Sequence, residues 1–179
     1  MSILSPPRLV SPAETNAIQP NSAIPSAPLS TPPVPAERSP RKGVWVTGRV
    51  VGITDGDTFS FLMGGRSLHK IRLYGIDSPE RGQAFGKKAK QRLSSLIYKR
   101  DVEILETDID RDDRVIARVR CEGVDVCLQM VEGGYAWWFE RYAPEDRDLE
   151  RAELEARSAR RGLWSDPHAI PPWAYRKLH

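Results

Sequence analysis

Three carboxylates and one arginine are close enough in the sequence to act on one substrate: Asp57, Arg72, Asp77 and Glu80. If Gly64-Gly65 forms a two-residue hairpin turn, Asp57 lies directly opposite Arg72 on the neighbouring strand. A carboxylate and a guanidinium in this arrangement are often a plain cross-strand ion pair, and that interpretation stays open for these two residues taken alone.

The segment after this pair turns back toward it. Gly75 lets the strand bend, and Pro79 has the fixed φ angle that favours a turn. The turn brings Asp77 and Glu80 toward the cross-strand pair, so that three carboxylates converge near one arginine. Such a cluster needs a counterion, and hard oxygen ligands without His or Cys indicate calcium or magnesium.

The sequence around these residues alternates between strand-like and helix-like patterns. Strands are predicted at residues 44–53, 58–62, 67–76, 102–107 and 114–120. Helices are predicted at residues 85–97, at 126–132 before Gly133-Gly134, and from Pro144 to about Gly162. Three strands, a helix, two strands and two helices are typical of an α+β domain with a small antiparallel barrel.

Five collinear motifs resemble the signature of the staphylococcal nuclease (thermonuclease) family. They are Asp55-Gly56-Asp57-Thr58, Ile71 to Glu80, Arg114 to Ala117, Gly134 to Trp137, and Ala159 to Trp164. Ile170-Pro171-Pro172-Trp173 also resembles a tail found in many bacterial members. The resemblance implies an OB-fold, a five-stranded antiparallel β-barrel with three packed helices, over residues 44–173, with a C-terminal tail at 174–179.

The resemblance also implies a metal-dependent hydrolysis of phosphodiester bonds in DNA or RNA, with broad specificity. By this resemblance Asp57 and Asp77 would hold Ca²⁺, with help from the backbone carbonyl of Ser78. Glu80 would orient or deprotonate the attacking water.

Two arginines and a tyrosine complete the implied site. Arg72 and Arg114 would grip the phosphate with forked donors that lysine cannot imitate, mainly in the transition state. Tyr142 falls where the family places a tyrosine against a nucleotide base or phosphate, and stacking of that kind tolerates any base.

Four positions depart from the family pattern. Asp112 and Asp113 replace an aromatic residue and a glycine just before Arg114, Cys127 replaces an asparagine, and Glu140 replaces a second substrate-facing aromatic residue. The added carboxylates could pair Arg114 away from phosphate or repel the substrate. A solvated acidic loop and a second metal site are the alternatives.

The overall charge does not establish a nucleic-acid partner. The pI is about 9.0 and the net charge +3, but residues 1–43 hold four basic and two acidic residues, which leaves +1 for the rest. Cys121 and Cys127 match no zinc spacing. A two-residue turn at Glu122-Gly123 pairs residue 121 with 124, which disfavours a disulfide between the two cysteines.

The first 43 residues differ in composition from the rest of the chain. They contain 10 of the 15 prolines and no aromatic residue, which predicts a disordered arm. A plain tether and a basic anchor at residues 38–42 are both open. No 18-residue apolar run is visible, so we expect no transmembrane segment. No standard secretory signal is visible either, so we expect a cytoplasmic protein by default. We also expect a monomer. The family resemblance leaves export open.

Three functions compete at this point. The first is an active nuclease of low sequence specificity. The second is a nuclease-fold module with weak or lost catalysis that binds nucleic acid or protein, which the nearly neutral domain charge and the acidic loop favour. The third is an unrelated OB-fold that binds single strands. Glu80 beside a metal site favours the first, because a pure binder has no need for it.

Overall fold

A computed structural model describes residues 42–178 of the chain. The predicted N-terminal arm, apart from its last two residues, lies outside the described residues. None of the helices in the described part is long and apolar enough to cross a membrane.

The described chain contains eight strands and four α-helices. The strands are β1 (Trp45–Ile53), β2 (Thr58–Met63), β3 (Ser67–Leu73), β4 (Ile76–Asp77), β5 (Asp101–Ile109), β6 (Val115–Cys121), β7 (Val124–Asp125) and β8 (Trp137–Trp138). The helices are α1 (Gly86–Ile97), α2 (Val126–Glu132), α3 (Arg147–Ser158) and α4 (Pro172–Leu178), with a 3₁₀ helix at Gly162–Ser165.

Five long strands close into a barrel. The sheet order is β3-β2-β1-β5-β6-β7, and an additional pairing between β3 and β6 closes the ring. The predicted α+β OB-type barrel is therefore confirmed, with one difference. The β3–β6 pairing is parallel, whereas the other four pairings of the ring are antiparallel. A closed ring with an odd number of strands cannot alternate direction throughout, so one parallel pair is required.

The barrel interior and one face of α1 form the core. Alternate residues of the strands point inward, as the two-residue period of a strand requires. Fully buried side chains of these elements are Val50, Phe59, Phe61, Ile71, Ile104, Val119, Ala89, Leu93 and Ile97. The α1 residues among them recur every four residues, which is the spacing that predicted this helix.

The register of the β2–β3 hairpin differs from the prediction by one residue. The N–H of Arg66 donates to the carbonyl of Met63, so Gly64 and Gly65 do form a tight turn with positive φ at both positions. Strand pairing, however, resumes only at Ser67, and Thr58 rather than Asp57 lies opposite Arg72. The extra residue after the turn caused the error.

Two helices near the C-terminus also differ from expectation. The helix predicted from Pro144 begins at Arg147, because the carboxylate of Asp146 caps it by accepting from the N–H of Leu149. The short helix α4 was not predicted at all. It starts at Pro172, the position in a first turn where proline costs no hydrogen bond.

The two cysteines are both buried and free. The predicted turn at Glu122-Gly123 is present, and Cys121 pairs with Val124 across it. The short helix predicted at residues 126–132 is confirmed as α2.

Candidate active site

Arg72 holds two aspartates together at one end of the barrel. Its Nη1 lies 2.9 Å from Oδ1 of Asp57, and its Nη2 lies 2.8 Å from Oδ1 of Asp77. Both aspartates are almost completely buried. The one-residue shift in register therefore does not separate the predicted pair, because the backbone ladder continues from Asp57 to Leu73 through a 2.8 Å hydrogen bond.

Backbone and hydroxyl donors fix the two aspartates further. Asp57 accepts hydrogen bonds from the hydroxyl of Thr58 and from the backbone N–H of Ser78, each at 2.9 Å. Asp77 is placed by the short pairing of β4 with β8, in which it lies opposite Trp137. The predicted turn after Asp77 thus brings Ser78 directly onto Asp57.

Glu80 lies at the edge of this acidic cluster, on a turn that is fixed by hydrogen bonds. Its N–H donates to Oε1 of Gln83 at 3.0 Å, and its carbonyl accepts from the N–H of Gln83 at 2.9 Å. Nε2 of Gln83 donates to the carbonyl of Ile170. The side chain of Glu80 is 39% exposed and can meet both a solvent molecule and a substrate in the adjoining cleft.

An arginine that was not predicted as a site residue lies among these carboxylates. Arg176, on α4, donates from Nη2 to Oδ2 of Asp77 at 2.7 Å and from Nη1 to Oε1 of Glu80 at 2.6 Å. Arg176 lies within residues 174–179, which were predicted to be a C-terminal tail. The run Pro172-Trp173, with a basic residue three positions later on the same helix face, was the available signal.

The acidic loop before β6 holds Arg114. Asp110 accepts from the backbone N–H groups of Asp112 and Arg114 and from Nε of Arg114. Asp112 lies 3.3 Å from Nη2 of the same guanidinium. Asp113 adopts a positive φ of 56°, the backbone conformation that the family's glycine would supply. Of the two added carboxylates, Asp112 pairs with Arg114 and Asp113 makes no ion pair within residues 42–178, while the nearer partner of the guanidinium is Asp110.

One cleft of about 560 Å³ connects these groups. Arg72, Glu80, Arg114 and Arg176 line it together with Tyr142. The ring of Tyr142 is exposed and makes a T-shaped contact with Phe139, which also stacks on Trp173 at 5.0 Å between ring centroids. Phe139 is half-buried and also lines the cleft.

Burial and like charge shift several pKa values in this cleft. Burial, assisted by the charge of Asp57, raises the pKa of Asp55 to about 6. Burial also raises the pKa of Asp77, against the lowering effect of its two arginines. For Arg72, burial lowers the pKa, but the charges of Asp57 and Asp77 outweigh it and the net shift is upward.

The donor chemistry of this cluster fits a hard divalent cation. Asp57, Asp77 and Glu80 supply carboxylate oxygens, the carbonyl of Ser78 is adjacent to Asp77, and neither His nor Cys is present. Within residues 42–178 no three His, Cys, Asp or Glu side chains form a ready metal cluster. Guanidinium groups bridge the carboxylates instead, since Arg72 contacts Asp57 and Asp77, and Arg176 contacts Asp77 and Glu80.

Comparison with known proteins gives a consistent picture. A family model described as "Staphylococcal nuclease homologue" matches residues 70–166. The chain is 39% identical over 140 residues to "Micrococcal nuclease" of Shigella flexneri, covering 73% of this chain and 80% of the relative. It is 39% identical over 131 residues to an "Uncharacterized endonuclease" of Haemophilus influenzae, covering 73% of each. It is 35% identical over 109 residues to "Probable staphylococcal-like nuclease CAN1" of Oryza sativa subsp. japonica, covering 61% of this chain and 33% of the relative.

Proposed function

Because the chain belongs to the family of staphylococcal nuclease homologues, we propose that it is a Ca²⁺-dependent nuclease that cleaves DNA or RNA with little sequence specificity. The observation that carries the proposal is that Arg72 joins Asp57 and Asp77, while Glu80 and Arg114 line the same cleft. It combines a set of hard oxygen donors with two forked phosphate-binding groups.

The buried aspartates are the residues that would hold the metal ion, together with the carbonyl of Ser78. Bound Ca²⁺ supplies a positive charge that neutralises the phosphate and favours attack on it. Asp57 is oriented for this role by Thr58, Arg72 and Ser78. Asp77 is oriented by Arg72 and by the pairing of β4 with β8.

Glu80 is placed to act on the attacking water. Its carboxylate is the most exposed of the three and lies at the cleft rim, next to the fully buried Asp77. A carboxylate at this boundary can accept a proton from a water molecule that lies between it and the phosphate. The turn fixed by Gln83 holds it in that place.

The two arginines bind and stabilise the phosphate. Both line the cleft, and both are held by carboxylates, so that their guanidinium planes are oriented before the substrate arrives. As negative charge grows on the phosphate oxygens, such preorganised donors contribute to the transition state more than to substrate binding.

The low sequence specificity that we propose follows from the remaining cleft residues. Tyr142 offers an exposed aromatic ring, and a ring stacks on any base.

Cleavage of single-stranded DNA tests the proposal. We expect the purified protein to cleave in Ca²⁺ and to lose activity in EDTA. Glu80→Gln and Arg72→Ala should each reduce kcat by about a hundredfold or more, in line with the loss of a general base or of an oxyanion donor. Lys88→Gln, on the exposed face of α1, is the control and should leave kcat unchanged. Cleavage that persists in EDTA or in Glu80→Gln would overturn the mechanism.

The binding-module alternative has one observation in its favour. Arg114 is paired with Asp110 and Asp112, and Arg176 is paired with Asp77 and Glu80, so part of the phosphate- and metal-binding capacity is already satisfied within the chain. A folded wild-type protein that binds single-stranded DNA but cleaves it neither with Ca²⁺ nor with Mg²⁺ would establish this alternative.

A further inference from the structure

The guanidinium of Arg176 spans the two carboxylates on the outer side of the acidic cluster. Nη1 contacts Oδ1 of Asp77 at 3.2 Å and Oε1 of Glu80 at 2.6 Å, and Nη2 contacts Oδ2 of Asp77 at 2.7 Å. Since Arg72 also donates to Oδ1 of Asp77, both oxygens of this buried carboxylate face guanidinium groups.

The helix that carries Arg176 is fixed independently of these ion pairs. Trp173, one turn earlier on α4, stacks in parallel on Phe139 and meets Trp137 edge-on at 5.7 Å. Pro172 is buried, and the preceding carbonyl of Ile170 accepts from Gln83. Aromatic packing thus fixes α4 beside the site, and this position places Arg176 in contact with the carboxylates.

A divalent cation cannot share these oxygens with Arg176. Calcium binds oxygen ligands, carboxylates among them, at about 2.3–2.6 Å and takes about six to eight in all. An ion at that distance from Asp77 would lie only a few ångströms from a guanidinium that donates to the same atoms, and like charges this close in a half-buried site repel strongly. The carboxylates can be neutralised by the arginine or by the metal.

We propose that Arg176 is a residue of the active site that competes with the metal ion for Asp77 and Glu80. This inference rests on the proposed metal-dependent function. In the metal-free protein Arg176 neutralises the two carboxylates. Metal binding displaces it toward the cleft, which it already lines.

Calcium titration of four full-length proteins tests the competition. Arg176→Gln removes the guanidinium that contacts both carboxylates. Lys177→Gln removes one positive charge from the next position of the same helix, and Lys177 makes no ion pair within residues 42–178. Arg, Lys and Gln have similar helix propensities, so the two variants are matched. By isothermal calorimetry we expect Arg176→Gln to bind Ca²⁺ at least about tenfold more tightly than the wild type, equivalent to about 1.4 kcal/mol. Lys177→Gln should bind less than about twofold more tightly, and Arg176→Lys should lie between wild type and Arg176→Gln.

Thermal unfolding provides a second readout that does not depend on activity. In EDTA, Arg176→Gln should melt below the wild type, because two carboxylates have lost their counter-charge. Saturating Ca²⁺ should raise its Tm more than it raises that of the wild type, since tighter binding to the folded state gives a larger stabilisation. A residue with a purely structural role would lower Tm equally in both buffers.

The outcomes separate this inference from the proposed function. Calcium affinity that is equal or weaker in Arg176→Gln overturns the competition, even if the wild type cleaves DNA in Ca²⁺. Tighter calcium binding by Arg176→Gln supports the competition even if no protein cleaves DNA, in which case only the proposed function fails. If neither protein binds Ca²⁺, both are overturned.

Discussion

Two carboxylates near Arg114 have different roles in the acidic loop. Asp110 is part of the backbone structure, since it accepts two backbone N–H groups as well as the arginine, and these hydrogen bonds lower its pKa in spite of its partial burial. Asp112 only pairs with the guanidinium, from an exposed position. A neutral residue can therefore replace Asp112 without disrupting the loop, and the effect of the charge can be measured separately.

Asp112→Asn should raise kcat/KM. The variant frees one side of Arg114 and removes a negative charge from the cleft. Because an exposed pair is worth about 0.2–1 kcal/mol, we expect an increase of roughly 1.5- to 5-fold at low ionic strength, which shrinks as salt is added. Initial rates on single-stranded DNA at several salt concentrations measure it.

The control for this variant lies at the next position. Asp113→Asn removes the same charge and tolerates the same positive φ, but Asp113 makes no ion pair among the residues that the structure describes. Its kcat/KM should change less than that of Asp112→Asn. Equal increases in the two variants would show that charge alone matters, and that Arg114 is not held away from the substrate.

The start of α1 positions Glu80, and Gly86→Ala tests this link. A methyl group at Gly86 would collide with the carbonyl of Glu80 and approach that of Pro79, so the turn that carries Glu80 must shift. A displacement of about 1 Å at a catalytic group can cost about a hundredfold in rate, and we expect kcat to fall at least tenfold. Steady-state kinetics with a calcium titration provide the measurement.

Gly123→Ala serves as the control for Gly86→Ala. Gly123 lies in the β6–β7 turn with φ of 80° and has open space around it, so alanine there strains the backbone without touching the site. It should lower the Tm and leave kcat within about twofold of the wild type. Wild-type kcat in Gly86→Ala would contradict the role of α1 in placing Glu80.

A buried carboxylate links α3 to β8. Oε1 of Glu153 accepts from the N–H of Trp138, and Oε2 lies 3.4 Å from Arg157. Burial raises the pKa of Glu153, although the charge of Arg157 opposes this shift. Since β8 pairs with the strand that contains Asp77, Glu153 supports the site from behind.

Glu153→Gln should change how stability depends on pH. A carboxyl whose pKa is higher in the folded protein binds a proton more readily there, so the fold gains stability as the pH falls through that pKa. The free energy of unfolding of the wild type minus that of Glu153→Gln should therefore rise between pH 7 and about 4.5, the ordinary pKa of this side chain, and then level off. Urea titrations of both proteins at several pH values give this difference. A difference that is flat, or that falls as the pH falls, would contradict the raised pKa.

Local sequence signals predicted most of the elements but not every contact between them. Alternation located β1, β2 and β3, and spacings of three and four residues located α1, because these patterns reflect burial of one face. Gly133-Gly134 marked the end of α2. The parallel closure of β3 on β6 depends instead on geometry between elements that are distant in the sequence. Local sequence patterns do not indicate which distant elements contact each other.

The same distinction applies to the candidate site. Asp57, Arg72, Asp77 and Glu80 converge as predicted because one hairpin and one turn connect them over a short stretch of chain. Arg176 is 99 positions from Asp77 in the sequence, and the long-range packing of α4, including that of Trp173 on Phe139 and Trp137, places it at the site. No local periodicity indicates such a contact.

At the scale of the whole molecule, deletion of residues 1–41 should leave the Tm within about 2 °C of the wild type. The composition of this segment offers no aromatic residue and few large apolar ones that could bury surface on the barrel. Differential scanning calorimetry of the full-length and shortened proteins measures the shift. A drop of many degrees would show that the segment packs on the nuclease domain, and a loss of DNA affinity without a change in Tm would favour the basic anchor.

The parallel pairing of β3 with β6 has a consequence for the order in which the site forms. The acidic residues and Arg72 lie on a hairpin and its following turn, which are local in sequence and close quickly. Arg114 precedes β6 and joins them only when Arg72 pairs with Ile116 across the final seam of the barrel. We therefore expect a growing or refolding chain to bring Asp57 and Arg72 together early, but to lack a complete phosphate-binding site until β6 docks on β3. We expect nuclease activity to appear with the slowest phase of folding, after most of the secondary structure is already in place.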